Sequence, residues 1–428
     1  MVNRALTCPL LWWTPERGVP VWSTESMSIT ERVSVAPARA VDARSPFVRL
    51  AELLADVKPT QPPINIAVGE PQHPVPPFVG PVLQQHIAQF GRYPGNAGTD
   101  GFRQAVAGWL GRRYALPRPI DPASEILVLA GSREGLFLSA IAAKRFVAPR
   151  AGRPAILVPN PFYAPYAAGA VAAECEPVYL DATAANGFLP DLDALSDELL
   201  ARTVAFYLAS PANPQGSVAS RDYLARAAAL ARRHGFMLFA DECYSEIYWR
   251  EPPTGALEVA GNDLANVVAF NSLSKRSSLP GLRVGFVAGD KRFIAALLNL
   301  RTVSAPQVPV PSQEVAIAAY ADETHVEENR ALYRAKFDLA DQIIGNRYGY
   351  KRPAGGFFLW LDVSQHGGSE AATLKLWKEA GLRVVPGSYA ARPRSDGTNP
   401  GEGYIRVAMV QNREVTAEAL HRLVAVLG

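Results

Sequence analysis

Asn271-Ser272-Leu273-Ser274-Lys275-Arg276-Ser277-Ser278-Leu279-Pro280-Gly281-Leu282-Arg283-Val284-Gly285 follows directly on the apolar run Val267-Val268-Ala269-Phe270. The end of such a run, read as a buried strand, is where open α/β sheets bind their ligands. A lysine there can lose its proton and attack an aldehyde. Arg283, eight residues further on, is a fixed cation suited to a phosphate. Standing alone, Lys275 would read as ordinary solvated surface, so the segments around it decide.

Working outward, four more runs read as strands: Ile126 to Ala130, Ala155 to Val158, Val204 to Leu208 and Phe236 to Ala240. Continuous apolar runs of this length suit strands buried on both faces of a mostly parallel sheet. Ser132 to Phe146 and Ser220 to His234 read as the covering helices. Each strand leads into a segment with chemistry. Gly131-Ser132-Arg133-Glu134-Gly135 is a small-residue turn opening a helix, which offers free N–H groups to an anion and is equally an ordinary N-cap. Asn160-Pro161-Phe162-Tyr163-Ala164-Pro165-Tyr166 carries aromatics able to stack on a ring or simply to pack. Asn213, in Ser210-Pro211-Ala212-Asn213-Pro214, offers a donor and an acceptor. Asp241, in Asp241-Glu242-Cys243-Tyr244, ends an apolar strand, a costly place for a carboxylate unless it meets a cation.

The order of these pieces resembles the fold type I pyridoxal-phosphate aminotransferases of class I and II. The resemblance runs from about Phe47 to the C-terminus and takes in Gly69-Glu70-Pro71, Arg92-Tyr93-Pro94, Gly356-Phe357-Phe358-Leu359-Trp360 and Tyr404-Ile405-Arg406-Val407. It implies an α/β fold: a three-layer large domain with a mostly parallel seven-stranded sheet, plus a smaller α+β domain. It implies pyridoxal 5'-phosphate as cofactor. Lys275 would hold it and then move the substrate's proton, Asp241 would pair with the ring nitrogen, and Tyr244 and Asn213 would hydrogen-bond the ring oxygen. Tyr163 would stack on the ring. Gly131, Ser132, Arg133, Ser272, Ser274 and Arg283 would hold the phosphate, with Tyr93 reaching it from the partner subunit of a homodimer. Arg406 would grip the substrate α-carboxylate, helped by Gly69 and Asn213.

Within that family, Gly69-Glu70-Pro71-Gln72-His73-Pro74 and the 275–290 segment look most like the N-succinyldiaminopimelate aminotransferases of bacterial lysine biosynthesis. These exchange an amino group between glutamate and the 2-oxo form of N-succinyl-diaminopimelate. Ser278 stands where Asn is expected and Val284 where Ser is expected. General aspartate, alanine or aromatic aminotransferases are alternatives, as is a lyase on the same fold. A distal carboxylate calls for a second cation, with Arg133, Arg276 and Arg392 as candidates.

The remaining features exclude other classes. The 428 residues carry 43 basic and 40 acidic side chains, with a net charge of +3. No blocks of charge suggest nucleic acid, and no apolar run reaches the roughly 18 residues that span a bilayer. Three scattered cysteines and six histidines show no metal-ligand spacing and suit a reducing cytoplasm. The expected organisation is an N-terminal extension over 1–44, a large domain over 80–305 and a small domain joining 45–79 to 306–428. Met27 offers an alternative start within the extension. The Pro-rich run Ala305 to Ser312 reads as a hinge or inter-domain crossing, and Arg392 to Gly403 as a mobile loop.

Overall fold

The computed structural model describes residues 45–428; the extension expected over 1–44 lies outside the described residues. Met237–Asp241 and Val267–Ser272 are buried at every position. Strands apolar on both faces need cover on both, and these two occupy the middle of a seven-stranded sheet. Its order is Ile126–Leu129, Gly285–Gly289, Val267–Ser272, Met237–Asp241, Thr203–Ala209, Ala155–Asn160 and Glu176–Asp181. Only Gly285–Gly289 runs against its neighbours; the other pairings are parallel.

Side chains alternate across the sheet with the two-residue period of a strand. Leu238 and Ala240 join one core with Phe206, Phe286 and Trp109, while Met237 and Phe239 join the other with Tyr207, Phe270 and Phe293. Helices Asp100–Arg113, Arg221–His234 and Val310–Ala321 supply the first core. Ser132–Phe146, Ala164–Ala172 and Lys291–Ser304 supply the second. Local signals set the helix ends: Ser220 caps Arg221–His234 by accepting from the Tyr223 N–H at 3.1 Å, and Gly235 leaves it at φ 69°, a conformation that costs glycine nothing.

A second, antiparallel sheet joins Val385–Pro386, Tyr404–Ala408 and Phe358–Asp362. Ile64–Asn65 pairs separately with Leu382–Arg383. Leu359, Leu361, Ile405 and Val407 pack there against Phe337, Leu376 and Leu420, from helices Thr324–Ile343, Gly368–Ala380 and Arg413–Leu427.

Two departures from the sequence reading have local causes. Helix Val310–Ala321 begins inside the Pro-rich run, because Pro311 falls in the first turn, where a missing N–H costs nothing. Val308, Val315 and Tyr320 then join the core of the large sheet. The loop after Ala391 is anchored at its start. Buried Asn160 donates to the Arg392 carbonyl and accepts from its N–H, each at 2.9 Å, and Arg394 pairs with Asp181 at 2.6 Å.

Trp109, 1% exposed, lies within 6.0 Å of the rings of Tyr114, Phe286 and Tyr320. Trp109→Ala is expected to lower stability by about 3–5 kcal/mol in denaturant titration. Val303→Ala, at an 86% exposed position, should change it by less than about 0.5 kcal/mol.

Candidate active site

The parallel strands deliver their C-terminal ends to one edge of the sheet, and the expected site residues gather there. Asp241 ends its strand at 7% exposure. Its carboxylate accepts from the Tyr166 hydroxyl at 2.6 Å and the Cys243 N–H at 3.2 Å, both neutral groups. Burial pushes its carboxyl up, while these bonds and the charge of Lys275 pull it down. A buried carboxylate held this way favours a cationic N–H brought to it. Tyr166, which closes the Asn160–Tyr166 run, is not among the site residues that the sequence nominates. Its ring stacks on Tyr207 with centroids 4.5 Å apart, which aims the hydroxyl at Asp241.

Lys275 stands on the short helix Leu273–Arg276 that follows Val267–Ser272. Its amine donates to the Gly69 carbonyl and lies 5.1 Å from the Phe357 ring centre and 5.9 Å from that of Tyr244. Burial lowers its pKa to about 8, with the Arg406 and Arg133 charges acting in the same direction and Cys243 and Glu70 opposing. About a tenth of it is therefore a neutral nucleophile at pH 7, far more than for an ordinary lysine. Gly69 must be a glycine to approach so closely, since a Cβ would sit 2.6 Å from Phe358 Cζ. Burial raises the Tyr244 hydroxyl well above its ordinary value, with the Arg406 charge opposing. It stays a proton donor.

Beside them lies an anion cradle. Gly131 takes φ 83° at the start of helix Ser132–Phe146, and a Cβ there would sit 2.1 Å from the Arg283 guanidinium. Arg283 donates to the Pro280 carbonyl at 2.8 Å and that of Ala130 at 3.2 Å. The Ser132 N–H closes over Gly285, where a Cβ would lie 3.2 Å from it. Ser272 and Ser274 join hydroxyls at 2.9 Å. Helix N–H groups, hydroxyls and a guanidinium together suit a phosphate. Arg133 instead donates to the Tyr163 hydroxyl at 2.9 Å, tying the phosphate turn to the residue expected to stack.

Arg406 comes from the other sheet, on Tyr404–Ala408. It donates to Asn213 Oδ1 at 3.2 Å and the Ala67 carbonyl at 2.8 Å, and its guanidinium lies over Phe358 at 4.5 Å. Both partners are neutral, and its buried Nε has no partner. Burial lowers its pKa to about 10, which still leaves it charged. A desolvated guanidinium with spare donors is costly until a carboxylate meets it.

Tyr93, expected to act on a partner subunit's phosphate, is 97% exposed in its own chain. One expected residue falls elsewhere. Arg276 is fully buried against Trp109 and Tyr320, donates to the Ala319 carbonyl and pairs with Glu323 at 2.5 Å. It is therefore spent on structure and withdrawn as a reader of a distal carboxylate. The set as a whole fits pyridoxal phosphate. The cradle would take the phosphate, Asp241 a protonated ring nitrogen, and Lys275 the aldehyde.

A family model described as aminotransferase class I and II matches residues 61–423. The LL-diaminopimelate aminotransferase of Desulforudis audaxviator is 34% identical over 391 residues, spanning 89% of this chain and 95% of that relative. A solved aminotransferase from Neisseria meningitidis is 36% identical with a TM-score of 0.84, covering 90% of this chain and 98% of its own. Aminotransferase AspB from Helicobacter pylori is 31% identical with a TM-score of 0.81, at 90% and 98% coverage.

In cofactor-free protein, Lys275 should react with an amine-directed acylating reagent half-maximally near the depressed pKa of about 8. The neutral form attacks, so its rate rises with pH and then levels off. Peptide mapping across a pH series reads this. A midpoint near that of a surface lysine would contradict the buried geometry.

Proposed function

The chain belongs to the class I and II aminotransferases, and we propose that it exchanges an amino group between glutamate/2-oxoglutarate and N-succinyl-LL-2,6-diaminopimelate/N-succinyl-2-amino-6-oxopimelate in lysine biosynthesis. The observation that carries the transaminase reading is the pairing of two half-buried, largely desolvated basic side chains at one site. A partly neutral Lys275 amine lies within the field of a charged Arg406 that no carboxylate neutralises.

Pyridoxal phosphate, the family's cofactor, supplies when bound an aldehyde and an electron sink. The chain's own residues do the rest. Arg283 with Ser132, Ser272 and Ser274 would anchor the phosphate end, and the Asp241 carboxylate, steadied by Tyr166, would keep the ring nitrogen protonated. Tyr163 would stack on the ring, while Tyr244 and Asn213 would hydrogen-bond the ring oxygen. Arg406 orients the substrate by its α-carboxylate, so that the Lys275 amine can take the proton from Cα and deliver it one carbon away. Because Arg406 reads a group common to every amino acid, donor and acceptor use the same pocket in turn.

The same reading has a small domain of 45–79 and 306–428 closing over 80–305 to exclude water. It also has a cytoplasmic homodimer in which exposed Tyr93 reaches the partner's phosphate. Arg133 and Arg392 stand as candidates for a distal carboxylate, Arg133 on the cradle helix beside Tyr163 and Arg392 over the Phe162 ring. One observation favours a second reading, free LL-diaminopimelate as substrate: the relative at 34% identity carries that name.

Glutamate, N-succinyl-LL-diaminopimelate, LL-diaminopimelate, aspartate, alanine and phenylalanine would be compared as amino donors in single half-reactions, followed by the cofactor's absorbance. Fast turnover of glutamate and the succinylated compound, with slow turnover of the rest, is the expected result. Preference for the free diamine would install the second reading, and preference for aspartate or phenylalanine would remove both. Arg406→Lys loses the bidentate fork and should reduce kcat/KM for every donor by about tenfold to a hundredfold. Arg133→Ala should raise KM for the succinylated donor more than for glutamate. Equal rises would exclude Arg133 as the distal reader.

A further inference from the structure

Behind Lys275 lies a second buried lysine for which the reaction has no use. Lys336 is 2% exposed on helix Thr324–Ile343. Asn329, Tyr333 and Lys336 are spaced four and three residues apart, which places them on one face of that helix. The Lys336 amine meets His73 Nε2 at 2.7 Å and donates to the Met409 carbonyl at 3.1 Å. His73 Nδ1 meets Asn329 Oδ1. Asn329 Nδ2 in turn donates to the carbonyls of Lys275, at 3.1 Å, and Arg276, at 3.2 Å. His73 also packs on the Tyr333 ring, with centroids 4.4 Å apart, and Tyr333 stacks on Phe357, the ring next to the Lys275 amine.

The donors run in one direction. Asn329 spends both amide hydrogens on carbonyls, so its Oδ1 must accept, and the proton between it and His73 belongs to Nδ1. Nε2 is then an acceptor, which Lys336 satisfies. His73 is thereby held as one neutral tautomer. Burial and the Lys336 charge lower its pKa to about 4, and burial lowers that of Lys336 to about 7. An amine buried against an imidazole instead of a carboxylate contributes poorly to stability.

The placement matters because His73 lies four residues after Gly69, whose carbonyl accepts from the Lys275 amine. The relay therefore grips both ends of that contact: the loop bearing Gly69 through His73, and the backbone bearing Lys275 through Asn329. We propose that Lys336, His73 and Asn329 are positioning residues that hold the Gly69 carbonyl against the Lys275 amine and so set that amine's basicity. The inference rests on Lys275 being the reactive amine. The charged and titratable groups acting on Lys275 are Cys243, Arg406, Glu70 and Arg133, with Asp241 and Tyr244 alongside. Lys336 is not among these leading groups, and it faces His73 and the Tyr333 ring. Its effect travels by contact.

A carbonyl that accepts from an ammonium favours the protonated form, so loosening Gly69 lowers the Lys275 midpoint. The test is made on full-length protein. In the cofactor-free form, Lys336→Met and His73→Phe, which keeps a ring on Tyr333, should each move the Lys275 acylation midpoint about 0.5–1 pH unit lower. In the loaded enzyme both should cut kcat about tenfold with KM changed less than about twofold. Lys336→Arg, which keeps a donor to His73, should restore most of both. A lower melting temperature with an unmoved Lys275 midpoint in both variants would overturn the proposal and leave a merely structural cluster. If Lys336→Met fails to fold, His73→Phe alone decides between these outcomes. Failure of the underlying reading looks different, because Lys275→Ala would then keep transaminase activity.

Discussion

The burial of Asp241 at the end of an all-apolar strand is the constraint on which the site depends. An ionised carboxylate in that position is unfavourable by several kcal/mol unless its lone pairs are met. Tyr166 and the Cys243 N–H meet them without neutralising the charge. The negative charge therefore remains available to a cationic ring nitrogen. Tyr166 can do this only because it stacks flat on Tyr207 from the adjacent layer. Tyr207 is itself fixed by donating to the Leu136 carbonyl at 2.6 Å. One strand terminus thus draws on the sheet core, on Ala164–Ala172 and on Ser132–Phe146, the helix that opens the phosphate cradle.

The opposite charge is treated in the same way. Arg406 is half-buried among neutral acceptors and the Phe358 ring, so it stays charged and partly unsatisfied. Between the two lies Lys275, with a pKa lowered by the same desolvation that makes the charged groups strong. A carboxylate, a guanidinium and an amine in one dry space would be poorly stable as a bare cluster. They become compatible when a substrate and cofactor supply the missing partners.

The site spans both sheets, which explains why glycines cluster around it. Gly69 lies against Phe358, Gly131 against Arg283, and Gly355 against Pro211, where a Cβ would come within 2.5 Å of Pro211 Cγ. Each lets backbone from one part of the chain approach another closely enough to present a polar group. The relay through His73 and Asn329 uses the same economy of space, joining the 69–74 segment to the 324–343 helix behind the reactive lysine.

Much of this was legible in the sequence. Continuous apolar runs marked five of the seven strands, because strands buried on both faces need no alternation. The ordered residues after each strand marked the edge where chemistry gathers. Two strands escaped notice for physical reasons. Glu176–Asp181 is a half-buried edge carrying Pro177, and Gly285–Gly289 has glycine at both ends. Segment order along the chain was enough to nominate Lys275, Asp241, Asn213 and Arg406. Their side-chain partners were not, because hydrogen bonds such as Tyr166 to Asp241 or Lys336 to His73 join positions 75 and 263 residues apart. Residue order named the groups able to do the chemistry and the kind of fold that carries them. That Arg276 is buried away, that Arg406 keeps spare donors and that Lys275 faces the Gly69 carbonyl follows from packing in three dimensions, since desolvation and close approach are properties of packed neighbours and not of neighbours in sequence.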